Sequence, residues 1–226
     1  MINKFDSSQS SEIKAVLIDM DGLLINSEEL YLEANKVYFK DFDFEFTEDF
    51  HKQGTGKKFE LWIKTIVPDS VINKSGEDIL KERNKIFFDL VRKNLKLMPG
   101  AGNFLKLAKD HFKTALVTSS RRDYVNLVFE ITDIKKYFDI IITGETVVYG
   151  KPDPECYLEA AKSLGVIPKE CVVVEDAPTG IMAGKNANMK VIAVPSYFVK
   201  DSLEIRRADL ILNSLEDIKL DTILNI

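Results

Sequence analysis

Apolar positions along the chain follow two rhythms. Continuous runs rich in β-branched residues occur at Ala15–Ile18, Thr114–Val117, Ile140–Ile142, Val172–Val174, Val191–Val194 and Leu210–Leu212. A run with no polar residue alternating through it predicts a strand buried on both faces. Helix-length segments separate most of these runs, so the pattern predicts an α/β fold: a doubly wound, Rossmann-like parallel sheet. Residues 27–97 break the alternation. There Leu30, Ala34, Val37 and Tyr38 recur at helical spacing, and Leu61, Ile63, Ile66 and Val67 do so less regularly. A crossover between parallel strands needs only about a dozen residues, so this block predicts an inserted helical cap domain, with residues 1–26 and 98–226 as the core.

Punctuation supports that division. Met98-Pro99-Gly100 marks the return to the core, with Pro99 expected to pre-set the first turn of the next helix. Pro154 is expected to open a helix over Glu155–Leu164 that stops at Gly165, and Gly144 and Gly150 bracket a loop. Phe39, Phe42, Phe44 and Phe46 read as cap core rather than a base-stacking platform, and the charged stretch Lys81–Lys85 as solvated helix surface.

Composition narrows the function classes. The 226 residues carry a formal net charge of −5, which disfavours nucleic acid as a partner because phosphate binding needs clustered lysine and arginine. No apolar run approaches the roughly 20 residues of a membrane span, and the opening residues MINKFDSSQSSE do not resemble a signal peptide. A cytoplasmic protein without membrane association, and by default a monomer, is expected. Cys156 and Cys171 read as structural or surface thiols, and His51 and His111 as surface residues, because none has a neighbour at metal-ligand spacing.

The chemistry is concentrated where strands end. Ligands of parallel sheets bind at the carboxyl ends of strands. Reading those ends in order gives Asp19 and Asp21, then Thr118-Ser119-Ser120, then Lys151-Pro152 in the loop after the third run, then Glu175-Asp176. Acids, hydroxyls and one lysine on a single edge suit phosphoryl transfer, which depends on positioning and charge stabilisation. A carboxylate facing a phosphate dianion is repelled, and a hard divalent cation such as Mg²⁺ cancels that repulsion. Asp19 and Asp176 are the natural metal carboxylates, with Glu175 as a further ligand or supporting group. Lys151 and the Thr118 hydroxyl, with nearby backbone N–H groups, are expected on the phosphate oxygens. Two aspartates two residues apart allow Asp19 to act as nucleophile and Asp21 as acid and base, provided Asp21 is partly protonated near neutral pH.

Each signal has a plainer alternative. A DxD pair also binds metal in nucleotide-sugar glycosyltransferases, Lys151 alone would be a solvated turn lysine, and Glu175-Asp176 could cap the helix that follows. Arg121 and Arg122 either grip substrate or lie on an exposed helix start. Gly54-Thr55-Gly56-Lys57-Lys58 either faces substrate or is a solvated turn.

Four stretches taken together resemble the haloacid dehalogenase superfamily in its phosphatase branch with a small helical cap: Asp19-Met20-Asp21-Gly22-Leu23-Leu24-Ile25-Asn26-Ser27-Glu28, Val117-Thr118-Ser119-Ser120-Arg121, Gly150-Lys151-Pro152-Asp153-Pro154, and Val174-Glu175-Asp176-Ala177-Pro178-Thr179-Gly180. They fall in the family's order and span most of the chain. The resemblance implies Asp19 as nucleophile, Asp21 as acid/base, and Thr118 and Lys151 on the phosphate. It also implies metal ligation by Asp19, the backbone carbonyl of Asp21, and Asp176. Ser119, Ser120, Arg121, Gly56 and Lys57 become candidate substrate contacts. Dehalogenase members lack the second aspartate, so Asp21 argues for phosphate. β-Phosphoglucomutase relatives carry a histidine at the position of Tyr31 and an arginine at that of Phe59, which weakens a mutase reading. The expected function is a Mg²⁺-dependent phosphomonoesterase of small phosphorylated metabolites. The alternatives are a sugar phosphomutase or a silent binding module on the same fold.

Overall fold

The computed structural model describes residues 12–55 and 57–226. Its strands are β1 (Ala15–Ile18), β2 (Lys113–Val117), β3 (Ile140–Ile142), β4 (Cys171–Glu175), β5 (Lys190–Ala193) and β6 (Leu210–Ile211). They form one sheet in the order β3-β2-β1-β4-β5-β6, and every pairing is parallel. The helices that follow in the chain are α1 (Ser27–Lys40), α2 (Glu48–Gly54), α3 (Phe59–Ile66) and α4 (Gly76–Asn94) between β1 and β2. Then come α5 (Ala101–His111), α6 (Arg122–Thr132), α7 (Glu155–Leu164), α8 (Pro178–Asn186) and α9 (Leu220–Leu224).

Burial on both faces explains the uninterrupted apolar runs. Successive strand side chains point to opposite faces. Val16 and Ile18 therefore pack with Leu116, Val172, Val174 and Ile192 against Phe104 of α5 and Val125 of α6. Ala15 and Leu17 pack with Val117, Val173 and Val191 against Tyr157 of α7 and Ile181 of α8. A polar residue on either face would be buried without a partner, so alternation is not tolerated.

The segment between β1 and β2 is helical, and the aromatic run supplies its interior. Phe39 and Phe46 are buried with Trp62, Ile63 and Ile79, while Phe42 and Phe44 are packed against them. Leu30 and Ala34 of α1 and Phe87 and Val91 of α4 belong instead to the cluster on the sheet, so these two helices carry apolar residues into both cores. The connecting segments run side by side: Asn26 N–H donates to Lys96 O (3.2 Å), Met98 N–H to Leu24 O (2.9 Å), and Lys96 N–H to Asn26 Oδ1 (2.8 Å).

Two local readings need correction. Pro99 does not occupy the first turn of α5. Gly100 is the N-cap, in a left-handed conformation (φ 80°) that a proline ring cannot adopt, and the helix begins at Ala101. Lys81–Lys85 is not uniformly solvated either, because Arg83 at its centre is buried. Among the described residues no helix is long and apolar enough to cross a membrane.

Candidate active site

The strand order reverses between β1 and β4, which is where a parallel sheet opens a crevice beyond its carboxyl ends. Asp19 leaves β1 at this point, with its N–H donating to Val174 O of β4 (3.1 Å). Glu175 ends β4 and Asp176 follows it. One carboxylate oxygen from each of Asp19, Glu175 and Asp176 lies within 4.8 Å of the others, and all three residues are buried.

A single ammonium group ties this cluster together. Lys151 Nζ donates to Asp19 Oδ1 (2.5 Å), Glu175 Oε1 (2.7 Å) and Val117 O (3.0 Å), so it touches β1, β2 and β4 at once. Glu175 is saturated. Its Oε1 also accepts from Tyr157 Oη (2.8 Å), and its Oε2 accepts from the N–H groups of Asp176 (3.0 Å) and Ala177 (3.1 Å). The expected helix-cap role for Glu175 is therefore displaced one step, because these amides precede α8 rather than form its first turn. Glu175 is placed to orient Lys151.

Asp21 is held by the hydroxyls that follow β2. Its Oδ2 accepts from Ser120 Oγ (2.7 Å) and Thr118 Oγ1 (3.2 Å). Its Oδ1 is buried with no hydrogen-bond partner among the described residues. Thr118 N–H is engaged by Ile142 O and Ser120 N–H by Thr118 Oγ1, so these two residues can reach a ligand only through their hydroxyls. Gly22 lets the loop turn against Asp176. It has φ 75°, and a Cβ there would sit 2.3 Å from Asp176 Oδ2.

The electrostatics follow from burial. Desolvation, with repulsion from Glu175, lifts the Asp19 carboxyl well above the usual carboxylate range against the pull of Lys151. Asp176 is raised in the same way by burial and by Glu175 and Asp19. Burial also raises Asp21, although the hydrogen bonds from Ser120 and Thr118 oppose it. Lys151 is desolvated too, yet attraction to Asp19 and Glu175 holds its ammonium well above its ordinary value. The cluster is short of positive charge.

That deficit is a test of fit for a metal. Among the described residues Lys151 pairs with Asp19 and Glu175 but not with Asp176, the third buried carboxylate, and a hard divalent cation is the partner such oxygen donors take. Asp19 and Asp176 are free to ligate it, whereas both Glu175 oxygens are taken.

The remaining predicted contacts are dispersed. Ser119 and Ser120 line a cavity with Tyr31, Tyr124 and Arg121. Arg121 itself is exposed and paired with Glu145 (3.2 Å). Lys57 is exposed on the rim of a second cavity between α1, α3 and α4. Gly56 lies outside the described residues. Cys156 and Cys171 are both buried, and desolvation pushes their thiols up to about 11 and about 12, as suits inert structural cysteines.

His51 is not a surface residue. It is buried, shares a 3.0 Å hydrogen bond with Glu28 Oε2 and meets the Phe198 ring edge-on. Sequence reasoning also missed Arg83, Asn35, Ser27 and Tyr157. Arg83 left a signal: Ile79, Arg83, Phe87 and Val91 are spaced by four and all buried, so the arginine stands within an apolar stripe of α4.

The fold and the placement of these acids agree with comparison to known proteins. The chain belongs to the haloacid dehalogenase-like hydrolase family, whose pattern it matches over residues 16–194. It is an enzyme of the family's phosphatase kind. It is 32% identical to a phosphorylated carbohydrates phosphatase of Thermotoga maritima, covering 95% of this chain and 98% of that protein. It is 28% identical to a β-phosphoglucomutase of Bacillus subtilis, covering 92% and 93%. The crystal structure of a HAD hydrolase, family IA, variant 3, from Entamoeba histolytica superposes with a TM-score of 0.80 at 27% identity, covering 94% and 98%.

Proposed function

We propose that the protein is a Mg²⁺-dependent phosphomonoesterase that hydrolyses small phosphorylated metabolites (sugar, polyol or nucleoside monophosphates) through a phosphoaspartate on Asp19. The observation that carries this reading is the bridge from Lys151 to Asp19 and Glu175, with Asp21 held by the hydroxyls of Thr118 and Ser120. An Asp19 oxygen attacks phosphorus, and the bond from phosphorus to the leaving oxygen breaks. Asp21, raised by burial, delivers its proton to that oxygen. It then takes a proton from water, whose oxygen attacks phosphorus, frees Asp19 and releases phosphate. Lys151 and the Thr118 hydroxyl balance charge on the phosphate oxygens. Asp19, the Asp21 carbonyl and Asp176 would hold Mg²⁺, whose charge offsets repulsion between carboxylate and phosphate.

In this reading residues 27–97 form a cap that closes over the leaving group, with the paired segments at Leu24–Asn26 and Lys96–Met98 as its hinge. The similarity to a phosphorylated carbohydrates phosphatase supports a sugar or polyol substrate. A mutase is the second reading, favoured by the similarity to a β-phosphoglucomutase but opposed by Tyr31 and Phe59.

The test is phosphate release from p-nitrophenyl phosphate and a panel of phosphorylated metabolites, with Mg²⁺ and with EDTA. Asp19→Asn should abolish turnover. Asp21→Asn should damage sugar phosphates far more than p-nitrophenyl phosphate, whose leaving group needs no proton. Equal rates for wild type and Asp19→Asn would refute the assignment. Isomerisation exceeding hydrolysis when a sugar bisphosphate is added would establish the mutase.

A further inference from the structure

Among the described residues Tyr157 is the largest fully buried side chain, and the chemistry above gives it no part. It is the third residue of α7, and its ring packs with Ala15 and Leu17 of β1, Val117 of β2 and Val173 of β4. That packing asks only for an aromatic ring. Phenylalanine would supply it without burying a hydroxyl, which costs free energy unless the group is hydrogen-bonded.

The hydroxyl donates to Glu175 Oε1 (2.8 Å), the oxygen that also receives Lys151 Nζ (2.7 Å). Lys151 has three N–H donors, and Glu175 Oε1, Asp19 Oδ1 (2.5 Å) and Val117 O (3.0 Å) take all of them. Its ammonium therefore lies between two buried carboxylates that compete for it, and one of them is the nucleophile. A hydroxyl donating to Glu175 Oε1 offsets part of the negative charge there and weakens that side of the competition. The ring limits movement as well, because Lys151 Nζ lies 5.1 Å from its centroid. An ammonium drawn onto Glu175 would be lost to Asp19 and to the phosphate oxygens.

Resting on the phosphatase reading above, we infer that Tyr157 is a positioning residue: by donating to Glu175 it keeps the Lys151 ammonium on Asp19 and within reach of the transferred phosphoryl group. It touches neither substrate nor metal and acts through Glu175 and Lys151.

Tyr157→Phe removes the hydroxyl and keeps the ring. It should lower kcat by about tenfold, the loss expected for one hydrogen bond to a charged group. The loss should be the same on p-nitrophenyl phosphate and sorbitol 6-phosphate, because Lys151 acts on the phosphoryl group that both carry. Calorimetry with inorganic phosphate and Mg²⁺ should show affinity weakened by a similar factor, and that measurement needs no turnover. A purely structural hydroxyl would lower the Tm and leave kcat and phosphate affinity unchanged, which would overturn the inference. So would a loss confined to one of the two substrates. A double-mutant cycle tests the lysine as the route: in a Lys151→Met background, Tyr157→Phe should weaken phosphate binding no further, and an undiminished second loss would overturn the inference. Glu175→Gln takes the place of Lys151→Met if the latter does not fold or does not bind phosphate, since a neutral amide has little hold on the ammonium for the hydroxyl to offset. Phosphate binding that depends on Tyr157 in a chain without hydrolytic activity would keep the inference and reject the phosphatase reading. Full activity of Tyr157→Phe in an enzyme that Asp19→Asn abolishes would do the reverse.

Discussion

Gly180 shows how closely single residues are constrained around the cluster. A Cβ at this position would lie 1.6 Å from Glu175 Oε1, the oxygen that receives Lys151 and Tyr157. Gly180→Ala must therefore displace the carboxylate that orients Lys151. We expect activity to fall by about 10²-fold, because displacements of that size lose near-attack geometry, together with a lowered Tm from overpacking. A variant with wild-type kcat would show that Glu175 does not position the lysine. Asp209 is a second sensitive residue, far from the chemistry. It accepts from Lys185 Nζ (2.6 Å) and Val191 N–H (2.8 Å), and although burial opposes the charged form, these partners hold its carboxyl below the ordinary value. A depressed folded value means stability that is present above the unfolded value and lost as pH falls through the folded one. Asp209→Asn should cost about 0.5–1 kcal/mol at pH 7, because solvent screens this pair, and the difference from wild type should shrink as the pH falls below 3.8. Urea titrations at neutral and acidic pH check this; a gap that widens in acid would be the wrong sign.

At the scale of elements, the strands and helices follow from periodicity, while their junctions do not. Asn26, just ahead of α1, receives the Lys96 N–H on its Oδ1 and donates its Nδ2 to Asn94 O (3.4 Å). It thus joins the two segments that flank the helical insertion. Asn26→Ala should lower stability by about 1 kcal/mol and alter kcat and KM together, as hinge substitutions do when closure gates turnover. Steady-state kinetics on a sugar phosphate would decide it; a change in stability alone would make the contact purely structural. Pro99 gives the reason for one misplaced boundary. Proline suits a first helical turn, but the chain must reverse at Gly100 before α5 can begin, and a Cβ on Gly100 would meet Leu215 and Glu216 from the C-terminal part of the chain.

For the whole molecule, the carboxylate cluster sets function against stability. Burying Asp19, Glu175 and Asp176 beside one lysine costs folding free energy that a cation would restore. Asp19→Asn should raise stability in EDTA by roughly 1–2 kcal/mol, as removal of other strained functional groups does. Adding Mg²⁺ should raise the Tm of wild type more than that of the variant, since a ligand that binds only the folded state stabilises it by mass action. Thermal scans with Mg²⁺ and with EDTA test both. Identical Mg²⁺ responses would mean that Asp19 is not a metal ligand.

The local order of polar and apolar residues determined six strands, a helical insertion, the strand-end positions of Asp19, Asp21, Thr118, Glu175 and Asp176, and the place of Lys151 in the loop after β3. These were legible because a strand buried on both faces excludes polar side chains until it ends, so its first acid or hydroxyl marks the edge where ligands bind. Tertiary structure alone decided that Glu175 spends both oxygens on Lys151, Tyr157 and two amides, and that His51 and Arg83 are buried. No periodicity reports such facts. They depend on which distant segments the sheet and the helices bring together, and a charged side chain in a sequence looks the same whether water or an aromatic ring lies over it.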